Sequence, residues 1–159
     1  MDFEEVVRKR FSIREYEPRE VPEKIIREVI DLAKLAPSAG NLQSYKVIVT
    51  KKKVTNIEAP LNLIICADLK KSASKYGERG RNLYSIQDAT IFAAYVQLAL
   101  TNAGLGSVWV GAFNENGIKN LLKIPENLKI VAVIPLGYPA GEKSGRHRRN
   151  YEEIVSWDE

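Results

Sequence analysis

Apolar positions recur along this chain with two different periods, and each change of period marks a new element. Residues 2–10 set Phe3, Val6 and Val7 on one side of a short helix. Residues 22–36 set Ile25, Ile26, Val29, Ile30 and Ala33 on the core face of a second. Pro22 suits the opening of that helix, where its missing N–H has no intrahelical partner to lose. Residues 45–50 read as a strand, and residues 61–67, apolar almost without a break, as a strand buried on both faces. Residues 68–84 are polar and contain glycine, which predicts a mobile surface segment with some helix. Residues 85–103 give the longest helical pattern, apolar nearly all round. A helix without a wet face is buried in its domain or in a subunit interface, so this one predicts oligomerisation. Residues 107–111 and 130–136 read as further strands, with a short helix capped by Asn114 between them. The last stretch, 137–159, is polar, basic and extended, and Tyr151, Ile154, Val155 and Trp157 are its apolar anchors.

A chain of 159 residues supports one domain with a real core, spanning 1–159. No apolar run is long enough to span a bilayer, and charge throughout the first thirty residues argues against a leader or a membrane anchor. The lone cysteine, Cys66, falls in the apolar run 61–67 and reads as a buried, inert thiol in a reducing cytoplasm. The formal charge is +4, a mild excess, but Lys143, Arg146, Arg148 and Arg149 cluster near the end. Such a cluster is a solvated face, a nucleic-acid contact or a phosphate site. No aromatic residues interleave with these arginines as a base-stacking platform requires, which argues against nucleic acid.

Two stretches offer polar chemistry. Arg10, Ser12 and Arg14 alternate along an extended segment, so two guanidinium forks flank a hydroxyl on one side, an arrangement suited to an oxyanion. A solvent-facing strand edge would show the same alternation. Between the second helix and the strand at 45–50, Pro37, Ser38, Gly40, Asn41, Gln43 and Ser44 fall close together. This is a capped helix end running into a turn, or a polar cradle for a planar heterocycle or a phosphate. The glycines at 104 and 106 follow a helix and open a strand, the reverse of the dinucleotide fingerprint. One histidine (His147) and one cysteine leave no ligand set for zinc, and no nucleophile elbow or phosphate-binding Walker loop appears. If the chain is an enzyme, a cofactor carries the hard chemistry.

Together these motifs resemble the nitroreductase family of flavin-dependent oxidoreductases. Arg-x-Ser-x-Arg at 10–14 stands before a Val-Pro helix, and Ala-Pro-Ser-x-x-Asn-x-Gln at 36–43 before a strand. Ala-Pro-Leu at 59–61, Gln-Asp-Ala at 87–89, Gly-Leu-Gly at 104–106, Trp-Val-Gly at 109–111 and Arg-x-Arg at 146–148 follow in the family's order, nearly end to end. The resemblance implies an α+β fold, with a central mixed but mainly antiparallel sheet flanked by helices. It also implies an intertwined homodimer with the C-terminal tail exchanged. Carried over to this chain, it makes Arg10, Ser12, Arg146 and Arg148 contacts of the FMN phosphate and ribityl chain, with Arg14 nearer the ribityl chain and the pyrimidine edge. Pro37, Ser38, Asn41 and Gln43 would reach in from the other subunit. The backbone of Val110 and Gly111 would face the reactive edge of the isoalloxazine ring. No metal and no catalytic side chain are implied. NADH or NADPH would donate a hydride, and a small electrophile such as a quinone or a nitroaromatic would accept the electrons in a second half-reaction. Two departures stand out. Only 51–59 join the strands where family members commonly carry a helix, and Gln-Ser-Tyr replaces the usual Gln-Pro-Trp at 43–45. Both open the pocket, so the alternative is an FMN-binding or flavin-handling module without reductase turnover.

Overall fold

The apolar run at the middle of the chain becomes the inner strand of a four-stranded sheet in the computed structural model, which describes residues 1–141 and 145–158. Strands β1 (Tyr45–Thr50), β2 (Leu61–Asp68), β3 (Gly106–Ser107) and β4 (Leu128–Gly137) lie in the order β1-β2-β4-β3, and each neighbouring pair is antiparallel. The N-terminal segment adds one parallel bridge, Ser12 to Ser107, at the β3 edge. This is the expected mixed, mainly antiparallel sheet.

Helices cover both faces. On one side lie α1 (Phe3–Lys9), α2 (Glu23–Ala33) and α4 (Ser85–Asn102), the last two burying Ile26, Val29, Phe92, Ala93, Val96 and Leu100 against Leu63, Ile65, Ile134 and Leu136. On the other, α5 (Glu115–Leu122) sets Ile118 with Ile64, Cys66, Ile130 and Val133. Because both faces of β2 are covered, its sequence shows no polar alternation. The register slips between Ile65 and Cys66, so that Ile65 pairs with Ala132 but Cys66 with Ile130. The extra residue, Val131, inverts the side-chain parity of β4 and lets Leu128 and Ile130 share a face with Val133. Cys66 is fully buried, and burial pushes its thiol up to about 11, so it stays neutral and unreactive at neutral pH.

Three segments differ from their expected form. Residues 68–84 hold a true helix, α3 (Leu69–Arg79), capped by the Asp68 carboxylate accepting from Lys71 N at 3.0 Å. Gly77, at φ 57°, interrupts it, and a wider turn over Gly80–Tyr84 runs straight into α4. The stretch expected as a strand over 107–111 pairs only at Gly106–Ser107 and again at Val110. The long helix α4 does keep an open flank: Ile91, Ala94 and Tyr95 face solvent in the single chain. Residues 51–60 contain neither helix nor strand. Beyond Gly137 the described tail has one short turn, Tyr151–Glu153, and leaves Ile154 and Trp157 exposed. Lys143, part of the basic cluster, lies outside the described residues. Among the described residues no helix is long and apolar enough to cross a membrane.

Candidate functional site

Arg10 ends α1, where its N–H still reaches Val6 O at 3.0 Å while its backbone turns extended. The chain then runs beside β3. Ile13 N donates to Ser107 O at 2.9 Å, and Ile13 packs so tightly on Gly106 that a Cβ there would come within 2.9 Å of it. The Tyr16 hydroxyl, 2.6 Å from Ile13 O and 2.9 Å from Pro135 O, pins the far end, and burial raises its pKa. With Ile13 turned inward, Ser12 is half-buried at the sheet edge and Arg14 is exposed, its guanidinium 3.5 Å from Ser12 O.

The tail returns to the same corner. Burial lowers the pKa of Arg10, and the guanidiniums of Arg148 and Arg146 lower it further. Like charges act this way only when close. Among the described residues no carboxylate forms an ion pair with Arg10, Arg146 or Arg148. Three gathered cations without a counter-charge make an anion site, and guanidinium forks suit phosphate oxygens.

The turn before β1 is held just as firmly. Gly40, Asn41 and Gln43 all have positive φ, at 56°, 54° and 52°. For the two non-glycine residues this backbone costs about 1–2 kcal/mol each and persists only where the surroundings hold it. Three contacts do so. Ala39 N donates to Asp88 Oδ1 at 2.8 Å, Gln43 N donates to Ser38 Oγ at 2.9 Å, and the Gln43 amide reaches Asn41 Oδ1 at 3.3 Å. Behind them Tyr45 stacks on Phe92 with ring centroids 4.2 Å apart. The turn is therefore internally tied, with Pro37, Asn41 and Gln43 exposed on its outer side.

Asp88 was legible in the sequence as a helix residue within the Gln-Asp-Ala motif, with no task assigned to it. Its task becomes clear once it is found buried, with one oxygen on the turn. The signals were that motif and a carboxylate on an otherwise apolar helix face. Asp88→Ala is expected to strip the Ala39 N–H of its acceptor, at a cost of about 1–3 kcal/mol felt at the turn. Amide exchange at Ala39 should then quicken, whereas Asp88→Asn, which keeps an acceptor, should retain protection. Equal protection in all three proteins would refute this anchoring.

At its other end α4 offers Gln97, whose amide lies 3.4 Å from Ser107 Oγ, beside Ser12. From Asp88 to Gln97 the helix rises about 13 Å, and three strand spacings of about 4.8 Å give a similar span. The turn thus lies by edge strand β1 and the arginines by edge strand β3, at opposite edges of one sheet. Val110 bridges Val133, its N–H donating to Val133 O at 2.9 Å and its C=O accepting at 3.0 Å. Of the Val110–Gly111 pair, this leaves the Gly111 N–H without a partner among the described residues, on an exposed glycine. Of the residues singled out in the sequence, one chain gathers Arg10, Arg146 and Arg148, with Ser12 two residues along the chain from Arg10, and it keeps Pro37, Ser38, Asn41 and Gln43 at the opposite sheet edge.

The chain as a whole is similar to known proteins. A sequence profile of the Nitroreductase family matches residues 7–58 and 57–138. A relative from Methanothermobacter thermautotrophicus, whose name pairs NADH dehydrogenase with NAD(P)H nitroreductase, is 34% identical over 157 aligned residues, covering 88% of this chain and 78% of the relative. The crystal structure of a nitroreductase family protein from Clostridium difficile 630 superposes with a TM-score of 0.87 at 33% identity, over 100% of this chain and 99% of the other. An FMN-dependent nitroreductase from Clostridium difficile R20291 gives a TM-score of 0.79 at 27% identity, over 97% and 98% of the two chains. The chain belongs to the nitroreductase family.

Proposed function

We propose that the protein is a cytoplasmic, homodimeric, FMN-dependent oxidoreductase that uses NADH or NADPH to reduce a small electrophile such as a nitroaromatic or a quinone. The observation that carries this reading is the convergence of Arg10, Arg146 and Arg148 without a counter-charge, which fits the dianionic phosphate of FMN. A bound flavin would supply the redox chemistry, namely two-electron transfer from the nicotinamide donor to the acceptor in alternating half-reactions.

The protein's own share is binding, orientation and cover. The arginine corner with Ser12 would hold the phosphate and the ribityl chain, and Arg14 would stand further along that chain. The Gly111 N–H would donate to the edge of the ring. Because the turn carrying Pro37, Ser38, Asn41 and Gln43 sits at the opposite sheet edge, it would serve the arginine corner of a second copy. The open flank of α4 at Ile91 and Tyr95 gives that copy an apolar surface to cover. The tail has a partner surface as well. A cleft of about 940 Å³ between α2 and the edge strand β1, lined by Val21, Ile26, Ile30, Val49 and Leu61, suits Ile154 and Trp157 of the exchanged tail.

One observation favours the second reading, an FMN-binding module without turnover: residues 51–60 carry no helix to roof the pocket. Purified protein should be yellow and dimeric and release one FMN per chain, and NADH or NADPH should bleach it. Colour that persists under both nucleotides would favour the module. A colourless protein that ignores added FMN would contradict both readings.

A further inference from the structure

The turn at Gly40 touches a cluster that the binding of FMN does not use. A Cβ at Gly40 would collide with the Tyr76 hydroxyl and lie 2.7 Å from Lys75 Nζ, so the C-terminal half of α3 packs directly on the turn. Tyr76 meets Tyr84 edge to face, with centroids 5.2 Å apart. Each ring carries a cation: Lys75 Nζ is 5.4 Å from the Tyr76 centroid, and the Arg79 guanidinium is 5.4 Å from that of Tyr84, its Nε donating to the Tyr84 hydroxyl at 2.9 Å. The backbone beneath is unusual as well, with Gly77 at φ 57° and Gly80 so close to Ser72 O that no side chain fits there. Extra-wide helical turns of the kind found over Gly80–Tyr84 recur at functional sites. Arg81 in the same segment is paired with Glu78 at 3.5 Å. Among the described residues neither Lys75 nor Arg79 has a carboxylate in ion-pair range.

We propose that Lys75 and Arg79, seated on the Tyr76–Tyr84 pair beside the Gly40 turn, form a subsite for an anionic group carried by a planar reactant. The inference rests on the reading that this turn roofs the flavin of the partner copy, which puts the subsite at the mouth of the pocket. Both cations already rest against a ring, and Arg79 also donates to the Tyr84 hydroxyl, which restricts their side chains before an anion arrives. The ring pair offers apolar surface beside the cations, and the cations supply charge-assisted hydrogen bonds. Two reactants carry such a group: NADPH, through the 2′-phosphate that NADH lacks, and an aromatic acceptor bearing a carboxylate.

The test compares the holoprotein with a Lys75→Gln/Arg79→Gln variant and a Lys70→Gln/Lys71→Gln control, whose cations lie on the same helix but not over either ring. The donor arm measures kcat/KM for NADPH and NADH, together with binding of 2′,5′-ADP and 5′-AMP by intrinsic fluorescence. The acceptor arm measures kcat/KM for 4-nitrobenzoate and 4-nitrotoluene. The expected result is a loss of about tenfold for the member of one pair that carries the extra anionic group, with its counterpart unchanged. The arm that responds names the reactant. No change in either arm would overturn the proposal. So would an equal loss in the control, which would mark a general positive field, or loss of flavin from the Lys75→Gln/Arg79→Gln variant, which would make these residues part of the cofactor site. A wild-type protein without flavin would contradict the reading of the pocket instead, while 2′,5′-ADP binding would still report on the subsite.

Discussion

Arg10→Ala is expected to weaken FMN binding on the order of 10- to 100-fold, the worth of a charge-assisted contact to phosphate. Riboflavin, which has the ring and ribityl chain but no phosphate, should lose much less affinity in the variant than FMN does. The flavin-free chain should lose no stability. Arg10 already carries a lowered pKa, from burial and from the two neighbouring guanidiniums, so its charge is disfavoured in the empty fold. Removing it relieves repulsion between Arg146, Arg148 and itself. Arg148→Ala should behave similarly, and raising the salt concentration should weaken wild-type FMN binding more than riboflavin binding. Equal loss of FMN and riboflavin would show that Arg10 shapes the corner and does not read the phosphate.

The second large effect lies in the core. Phe92 is 1% exposed, stacks on Tyr45 at the root of the turn, and fills the space between α4 and the sheet. Phe92→Ala should cost about 3–5 kcal/mol, by lost transfer energy and the cavity left behind. Against a typical total of about 5–15 kcal/mol, that is a large share. Denaturant unfolding should show a much lower midpoint with a similar slope. Tyr95, on the same helix but 40% exposed, provides the contrast. Tyr95→Ala should barely change the unfolding of the chain but should shift the monomer–dimer equilibrium toward monomer. If Tyr95→Ala leaves that equilibrium untouched, the open flank of α4 is not the surface that a second copy covers.

Much of the fold was legible because burial on this sheet is strong and local. The continuous apolar run of β2 and the spacing in α2 and α4 each point to one element. What escaped depended on long-range geometry. Two glycines and many cations disguised α3, whose helix is secured by the Asp68 cap and by close packing at Gly80. The parity change in β4 comes from the bulge at Val131, which no pattern within β4 announces. Of the site, the phosphate corner was legible as two arginine motifs, but their convergence joins residue 10 to residues 146 and 148 across nearly the whole chain. The anchoring of the turn by Asp88, and the separation of that turn from the arginines, follow from the strand order β1-β2-β4-β3 and could not be read from spacing.

That separation underlies the central claim, that each flavin lies between the arginines of one copy and the turn of another. Subunit mixing tests it most directly. One protomer carries Arg10→Ala/Arg148→Ala with an intact turn, and the other carries Asn41→Ala/Gln43→Ala with intact arginines. Each variant should be pale as a homodimer. The heterodimer, isolated by two different tags, has one site with both halves intact and should bind one FMN per two chains. A heterodimer as empty as its two parents would place the whole site within a single chain and contradict the account.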